Sequence, residues 1–355
     1  MVGAGVIGLT SAWQLQRHGH AVTLIDPYSS GLQGDDSGSS AALGLLMAQV
    51  FHRSRGRAWR LRQQALALWA TWRQELSLPW RPGLLLLAAS AAEADRQRSL
   101  IAERQALGLP LSWWPPAPLA ALDPAVPGGG TWGALHSAAD GQIDPPVVLE
   151  RLRQAFLAAG GSWLTDRAVA LEATAGPDRW RLQLAGGGNR RGPWLVLAAG
   201  LGSGALLHRL GPSWAGSLAQ EPVLGQALEL QLPPGISAEH WPGSLCWQGI
   251  NLVPRPNGRL WLGATLEPGT TAGTAALADL RQLGGAAPPW LAEATVLRQW
   301  QGLRSRPTQQ PAPVLVEPEP GLLLLGGAYR NGVLLAPACA TWAQERISRN
   351  VTSTR

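Results

Sequence analysis

Residues 2–8 read Val-Gly-Ala-Gly-Val-Ile-Gly, a GxGxxG turn, and few short patterns restrict a backbone so strongly. In a dinucleotide-binding βαβ unit, Gly3 allows the tight turn out of a strand, Gly5 lets a pyrophosphate reach the backbone, and Gly8 lets helix and strand pack closely. Free N–H groups at the start of the next helix then hold phosphate oxygens. The next residues come in the required order: a helix from about Val6 to Arg17, a stop at Gly19, an apolar strand over residues 21–25, and Asp26 at its end, where a ribose offers two hydroxyls. The glycine pattern alone also occurs in ordinary loops; the strand and the acid give it weight. Only Met1 and Val2 precede Gly3. The sequence therefore predicts either a start upstream of Met1 or a shortened central strand.

With 355 residues the chain has room for two domains, and 46% apolar residues suffice for a sizeable core. A net charge of +6 would suit nucleic acid. The arginines are scattered, however, and no basic run is interleaved with aromatic residues, so no nucleic-acid partner is expected. All 29 Lys+Arg residues are arginine. Without lysine there is no internal aldimine, no Schiff-base nucleophile and no Walker-type phosphate lysine. Cys246 and Cys339 form no CxxC and read as buried free thiols. His18, His20, His52, His136, His208 and His240 form no HExxH and no pairing with cysteine, so no metal site is expected. His18 and His20 fall at a helix end, where imidazole suits the negative pole of the dipole. No apolar run approaches the roughly 18 residues of a membrane span, and no integral membrane association is expected. A glycine loop starting at residue 3 leaves no room for a secretory signal, and a cytoplasmic protein is the expectation.

Along the chain, residues 29–40 form a polar, small-residue stretch, and long loops after a cofactor strand are more often functional than idle. Residues 57–76 carry Trp59, Leu66, Trp69 and Trp72 at helical spacing, which reads as core. Residues 83–88 read as a strand, 91–106 as a helix and 109–127 as a proline-rich connection. Asp144 and Pro145 open a helix that two glycines, Gly160 and Gly161, end. Short strands are predicted at 162–164, 169–172, 180–184 and 194–198, the last closing on Ala199 and Gly200 like a second βα turn. Residues 223–265 alternate as in an antiparallel sheet, and 322–325 read as a buried strand before a final helix. The cofactor half is thus assembled from separated pieces. A nicotinamide enzyme usually keeps that half contiguous, so the discontinuity favours a flavin.

On these residues the sequence resembles the FAD-dependent D-amino acid oxidase superfamily, and within it the glycine oxidases associated with thiazole formation in thiamine biosynthesis. The match is carried by VGAGVIG at 2–8, SSAALGLL at 39–46, GQIDP at 141–145, LVLAAG at 195–200, VPRPNGRLWLGAT at 253–265, GLRSRPT at 302–308 and YRNGVLLAP at 329–337. The resemblance implies an α/β fold: a Rossmann-like FAD-binding domain of glutathione-reductase type over 1–80, 141–220 and 300–355, interleaved with an α+β substrate domain on an antiparallel sheet over 81–140 and 221–299. It implies noncovalent FAD held by Gly3, Gly5, Val6, Ile7, Gly8, Asp26 and Pro27. Gly38, Ser39, Leu43, Gly44 and Leu45 would lie along the ribityl chain and ring, Val169 at the adenine, and Gly200 in the second turn. Ala328, Tyr329, Arg330, Asn331, Gly332, Val333 and Leu334 would wrap the pyrimidine end, where helix-start N–H groups favour negative charge on a reduced ring.

Arg304 and Arg330 match the substrate-facing arginines, and a planar guanidinium grips an amino-acid carboxylate with two parallel bonds. The implied reaction moves a hydride from the α-carbon of a small amino acid to the flavin, with O2 as the second substrate and H2O2 as a product; no acid–base residue is required. A homo-oligomer is also implied, though the sequence carries no oligomer signal. Two departures stand out. Asn251 occupies the position of a pocket-lining tyrosine in glycine oxidases, and the flavin-facing lysine of the related sarcosine oxidases has no counterpart.

Overall fold

The computed structural model describes residues 1–29 and 37–352; residues 30–36, within the polar stretch expected at 29–40, lie outside the described residues. Helix Val6–Arg17 begins after Gly5 and closes at His18, whose Nδ1 lies 2.8 Å from the Gln14 carbonyl oxygen. Strand Thr23–Asp26 pairs in parallel with Ser162–Thr165. Leu195–Leu197 pairs in parallel with Leu322–Gly326, which pairs antiparallel with Val314–Glu319 on its other side. Between these two groups stands Val2, bridged in parallel to both Ile25 and Leu197. Its N–H donates to the Val196 carbonyl at 2.9 Å and its carbonyl accepts from Ala198 at 2.8 Å. Val2 thereby joins the two groups into one sheet.

Small residues let three helices crowd this sheet. On the final helix, Gly332–Thr352, the buried Ala336, Ala338, Cys339, Ala340 and Ala343 allow close approach to Val6–Arg17 and Arg57–Glu75. Trp59, Trp69 and Trp72 are buried as the spacing predicted. Trp69 also donates through Nε1 to the carbonyls of Val333 and Leu334, at 3.0 and 3.1 Å, and so fixes the start of the final helix. Asp144 caps helix Pro145–Ala158 by accepting from Val147 N–H.

The other sheet is larger than the sequence indicated. Its strands run in the order Glu267–Pro268, Gln220–Gln231, Arg259–Gly263, Ile250–Arg255, Ser244–Trp247, Arg81–Leu87, Ala134–Gln142, Leu45–Leu46. Ser244–Trp247 and Arg81–Leu87 pair in parallel; the other strand pairs are antiparallel. Strand Thr295–Pro307 lies along the other edge of Gln220–Gln231. It escaped the sequence reading because residues 295–299 are all exposed and show no alternation. The connection expected at 109–127 contains a strand, Leu111–Trp114, and a short helix, Pro116–Ala120, started by its own prolines. Boundaries expected at 140/141 and 299/300 fall inside strands Ala134–Gln142 and Thr295–Pro307.

Candidate functional site

A cavity of about 940 Å³ opens at the carboxyl ends of the parallel strands, where Val2, Asp26, Ala198 and Gly326 line it, and reaches the second sheet at Gly225, Cys246, Asn251 and Arg304. Crevices at that end of an open parallel sheet are where such folds bind ligands. The described cofactor residues expected from the sequence line this cavity, apart from Gly8 and Val169. Gly8 serves packing: a Cβ there would lie 1.9 Å from the Gly3 carbonyl oxygen. Val169 is 41% exposed on strand Ala168–Ala173, at a register shift between Ala168 and Ala170, and its neighbour Ala168 borders the cavity; the resemblance assigns the adenine to the Val169 backbone.

The glycine turn is braced from two sides. Asp26 accepts from Ala4 N–H through Oδ2 at 2.7 Å and from Tyr28 N–H through Oδ1 at 3.0 Å. Burial raises its pKa, while both N–H bonds and Arg167 favour the charged form. Ser39 Oγ accepts from Val6 N–H at 3.0 Å, so this hydroxyl tethers the 37–42 segment to the helix start.

Arg304 reaches the cavity from strand Thr295–Pro307. Its Nη1 donates to the carbonyls of Leu224 and Thr265, at 3.0 and 3.1 Å. The guanidinium lies over Gly225, where a Cβ would be 2.2 Å from both terminal nitrogens, so only glycine admits it. Burial lowers its pKa, and the charge of Arg330 lowers it further, against Tyr329 and Glu267. Arg330 is exposed and donates through Nη2 to the Gly249 carbonyl at 3.2 Å. Asn251, paired with Cys246 and Gly263 on neighbouring strands, holds its Oδ1 buried without a partner among the described residues. Two guanidiniums that repel one another and an unsatisfied amide oxygen thus line the same cavity. Both cysteines are buried and free, with burial pushing Cys246 up to about 11 and Cys339 up to about 12.

The family model described as FAD dependent oxidoreductase (DAO) matches residues 1–346. The chain belongs to this family. Glycine oxidase of Geobacillus kaustophilus is 27% identical over 366 residues, covering 99% of this chain and 93% of that protein. A Rhizobium etli protein bearing the name of a thiamine biosynthesis oxidoreductase, ThiO, is 30% identical, covering 97% of this chain and 94% of its own. The crystal structure of glycine oxidase from Geobacillus kaustophilus superposes with a TM-score of 0.86 at 25% identity, covering 98% of this chain and 93% of that one.

This DAO-family chain is an FAD-dependent oxidoreductase, and its residues fit that cofactor. At Gly5 a Cβ would meet only Ser39 within 4 Å, at Oγ (3.0 Å) and Cβ (4.0 Å), which leaves the backbone open to a pyrophosphate at an otherwise uncapped helix start. Asp26 spends one acceptor position of each oxygen on the turn and keeps others for a ribose. Met47, Val50, Phe51, His52 and Arg62 also line the cavity, though no motif marks them in the sequence. Only their position after the Gly44 turn pointed to them. No described helix is long and apolar enough to cross a membrane.

Proposed function

We propose that this oxidoreductase is an amino acid oxidase that converts the amine of glycine or another small amino acid to the imine and delivers the electrons to O2 as H2O2. Residues 1–80, 141–220 and 300–355 carry the cofactor in this reading, and 81–140 with 221–299 form the substrate side. The observation that supports it most is that Arg304, Arg330 and Asn251 line the same cavity as the glycine turn. The names of the relatives support this reading, and the thiamine biosynthesis named for the ThiO relative supports a use of the product in that pathway.

Among the described residues Arg330 makes one bond, to Gly249, which leaves most of its donors for the substrate carboxylate. Arg304, immobilised by two carbonyls, presents its remaining face to the same anion at little entropic cost. The Asn251 amide oxygen accepts from the amine, which orients the α-carbon; the amine must be uncharged for its electrons to assist C–H cleavage. Bound FAD supplies the two-electron acceptor for the hydride that leaves that carbon. Burial holds the Cys246 thiol protonated, so it offers no thiolate in the cavity.

The test is anaerobic mixing of the yellow holoenzyme with glycine, sarcosine and small D-amino acids, followed by peroxide measurement in air. Bleaching with peroxide formation is expected. Bleaching that turns over only with an added quinone would make the chain a dehydrogenase, and the absence of bleaching by any amine would leave a flavin-binding protein without this activity.

A further inference from the structure

We propose that Arg62 is an additional anion anchor in the cavity, and that the preferred substrate is therefore an amino acid carrying a second carboxylate. This rests on the oxidase reading of the same site. Arg62 belongs to helix Arg57–Glu75, is only 7% exposed and lines the cavity. Among the described residues its single hydrogen bond runs from Nη1 to the Ala58 carbonyl at 3.0 Å, and its Nε is buried with no partner. The guanidinium carbon stacks 3.8 Å from the ring centroid of Phe51. Stacking satisfies the π face of a guanidinium but not its in-plane N–H donors. A buried charge without a counter-ion is costly, and burial does lower the Arg62 pKa. The missing partner is an anion.

The surroundings place that anion on the substrate side. Val50 and Cys246 share one apolar cluster with Leu45, Met47 and Leu86, so the segment ending at Phe51 packs against the strand that pairs Cys246 with Asn251. Among the described residues the acids lining the cavity, Asp26 and Asp166, lie at paired strand ends on the dinucleotide side. Arg62, Arg304 and Arg330 face the rest of it with no lining carboxylate among the described residues. Glu267, the acid beside Arg304, is occupied by Thr265, Gln226 and the Gly273 N–H. The helix start already accounts for a pyrophosphate. One carboxylate serves Arg304 and Arg330, and a second is needed for Arg62.

The experiment uses the FAD-loaded enzyme. Perturbation of the flavin spectrum gives dissociation constants for acetate, malonate and succinate, and anaerobic bleaching compares glycine and D-asparagine with D-aspartate, D-glutamate and iminodiacetate. Wild type should bind the better dicarboxylate about tenfold or more tighter than acetate, the scale of one added charge-assisted contact. It should likewise favour D-aspartate over D-asparagine. Arg62→Met should bring the dicarboxylate preference to within about twofold while glycine still bleaches the flavin, and Arg62→Lys should retain part of it. If Arg62→Met does not hold FAD, the Lys variant and the wild-type preference for D-aspartate over its amide decide. Equal binding of mono- and dicarboxylates by wild type, or a preference unchanged in Arg62→Met, would overturn the proposal. If dicarboxylates bind through Arg62 but no amine bleaches the flavin, the anion site stands and the oxidase reading fails; bleaching by glycine without any dicarboxylate preference is the reverse.

Discussion

Alanine at Gly8 and alanine at Gly5 should fail in opposite ways. A Cβ at Gly8 would lie 1.9 Å from the Gly3 oxygen and 2.9 Å from the Gly3 carbonyl carbon, both backbone atoms, whereas ordinary contacts begin at 3.4 Å. No rotamer relieves this overlap. Helix Val6–Arg17 must lift from the turn, at the upper end of overpacking costs, about 3 kcal/mol. Alanine returns about 1 kcal/mol of helix propensity. The net loss is about 2 kcal/mol, which for a 355-residue chain lowers the melting temperature by about 3 °C in both FAD-loaded and stripped protein. At Gly5, φ is −64°, a value open to any residue, and Ser39, whose side chain can turn aside, is the only residue within 4 Å of the added Cβ. Stripped Gly5→Ala should therefore melt within about 1 °C of the parent. Its Cβ nevertheless stands where the pyrophosphate approaches, and FAD affinity should fall about tenfold or more, the scale of a lost close charge-assisted contact. Differential scanning calorimetry of stripped and loaded protein, with FAD titrations, reads both quantities. A Gly8→Ala protein as stable as the parent, or a Gly5→Ala protein with parental FAD affinity, would refute this division of labour within the turn.

Removing the exposed guanidinium in Arg330→Ala should raise KM for the amino acid about tenfold or more with FAD still bound; steady-state kinetics with flavin absorbance checks it, and an unchanged KM removes Arg330 from the site. With Cys246 and Cys339 at about 11 and about 12, the native enzyme at pH 8 should leave both thiols unmodified by a disulfide reagent, and both should react once it is unfolded. Asp140 is fully buried and accepts from the N–H groups of Ala48, Gln49 and Val50, and burial raises its pKa to about 6. Between pH 4 and 6 the native carboxyl holds a proton that the unfolded chain releases. Its contribution to stability is therefore full below pH 4 and falls by about 3 kcal/mol as pH rises past 6. Urea unfolding at pH 4.5 and 7.5 should show about 2 kcal/mol of that decline in wild type and lose it in Asp140→Asn.

Much of the cofactor side was legible because its rules are local. The glycine spacing at residues 3, 5 and 8, the acid at 26 and the Asp144–Pro145 helix start each work within a few residues, and the structure places those elements as read. The resemblance of the 302–308 and 329–337 segments to a flavin family also brought Arg304 and Arg330 forward together. Strand Thr295–Pro307 was illegible because an exposed edge needs no alternation. The 47–52 segment was illegible for a different reason: its anchors are distant, Asp140 and Arg104, the latter donating through Nε to the Gln49 carbonyl at 3.0 Å.

The chain by itself thus determines a dinucleotide turn, a lysine-free chemistry and the two arginines, since each depends on residue type and short spacing. Which charges share a cavity is decided only by tertiary structure. Arg62 reads in sequence as one more polar residue on an amphipathic helix. It becomes a candidate ligand only when Phe51 folds over it, water is removed from its Nε, and no carboxylate among the described residues arrives to replace that water.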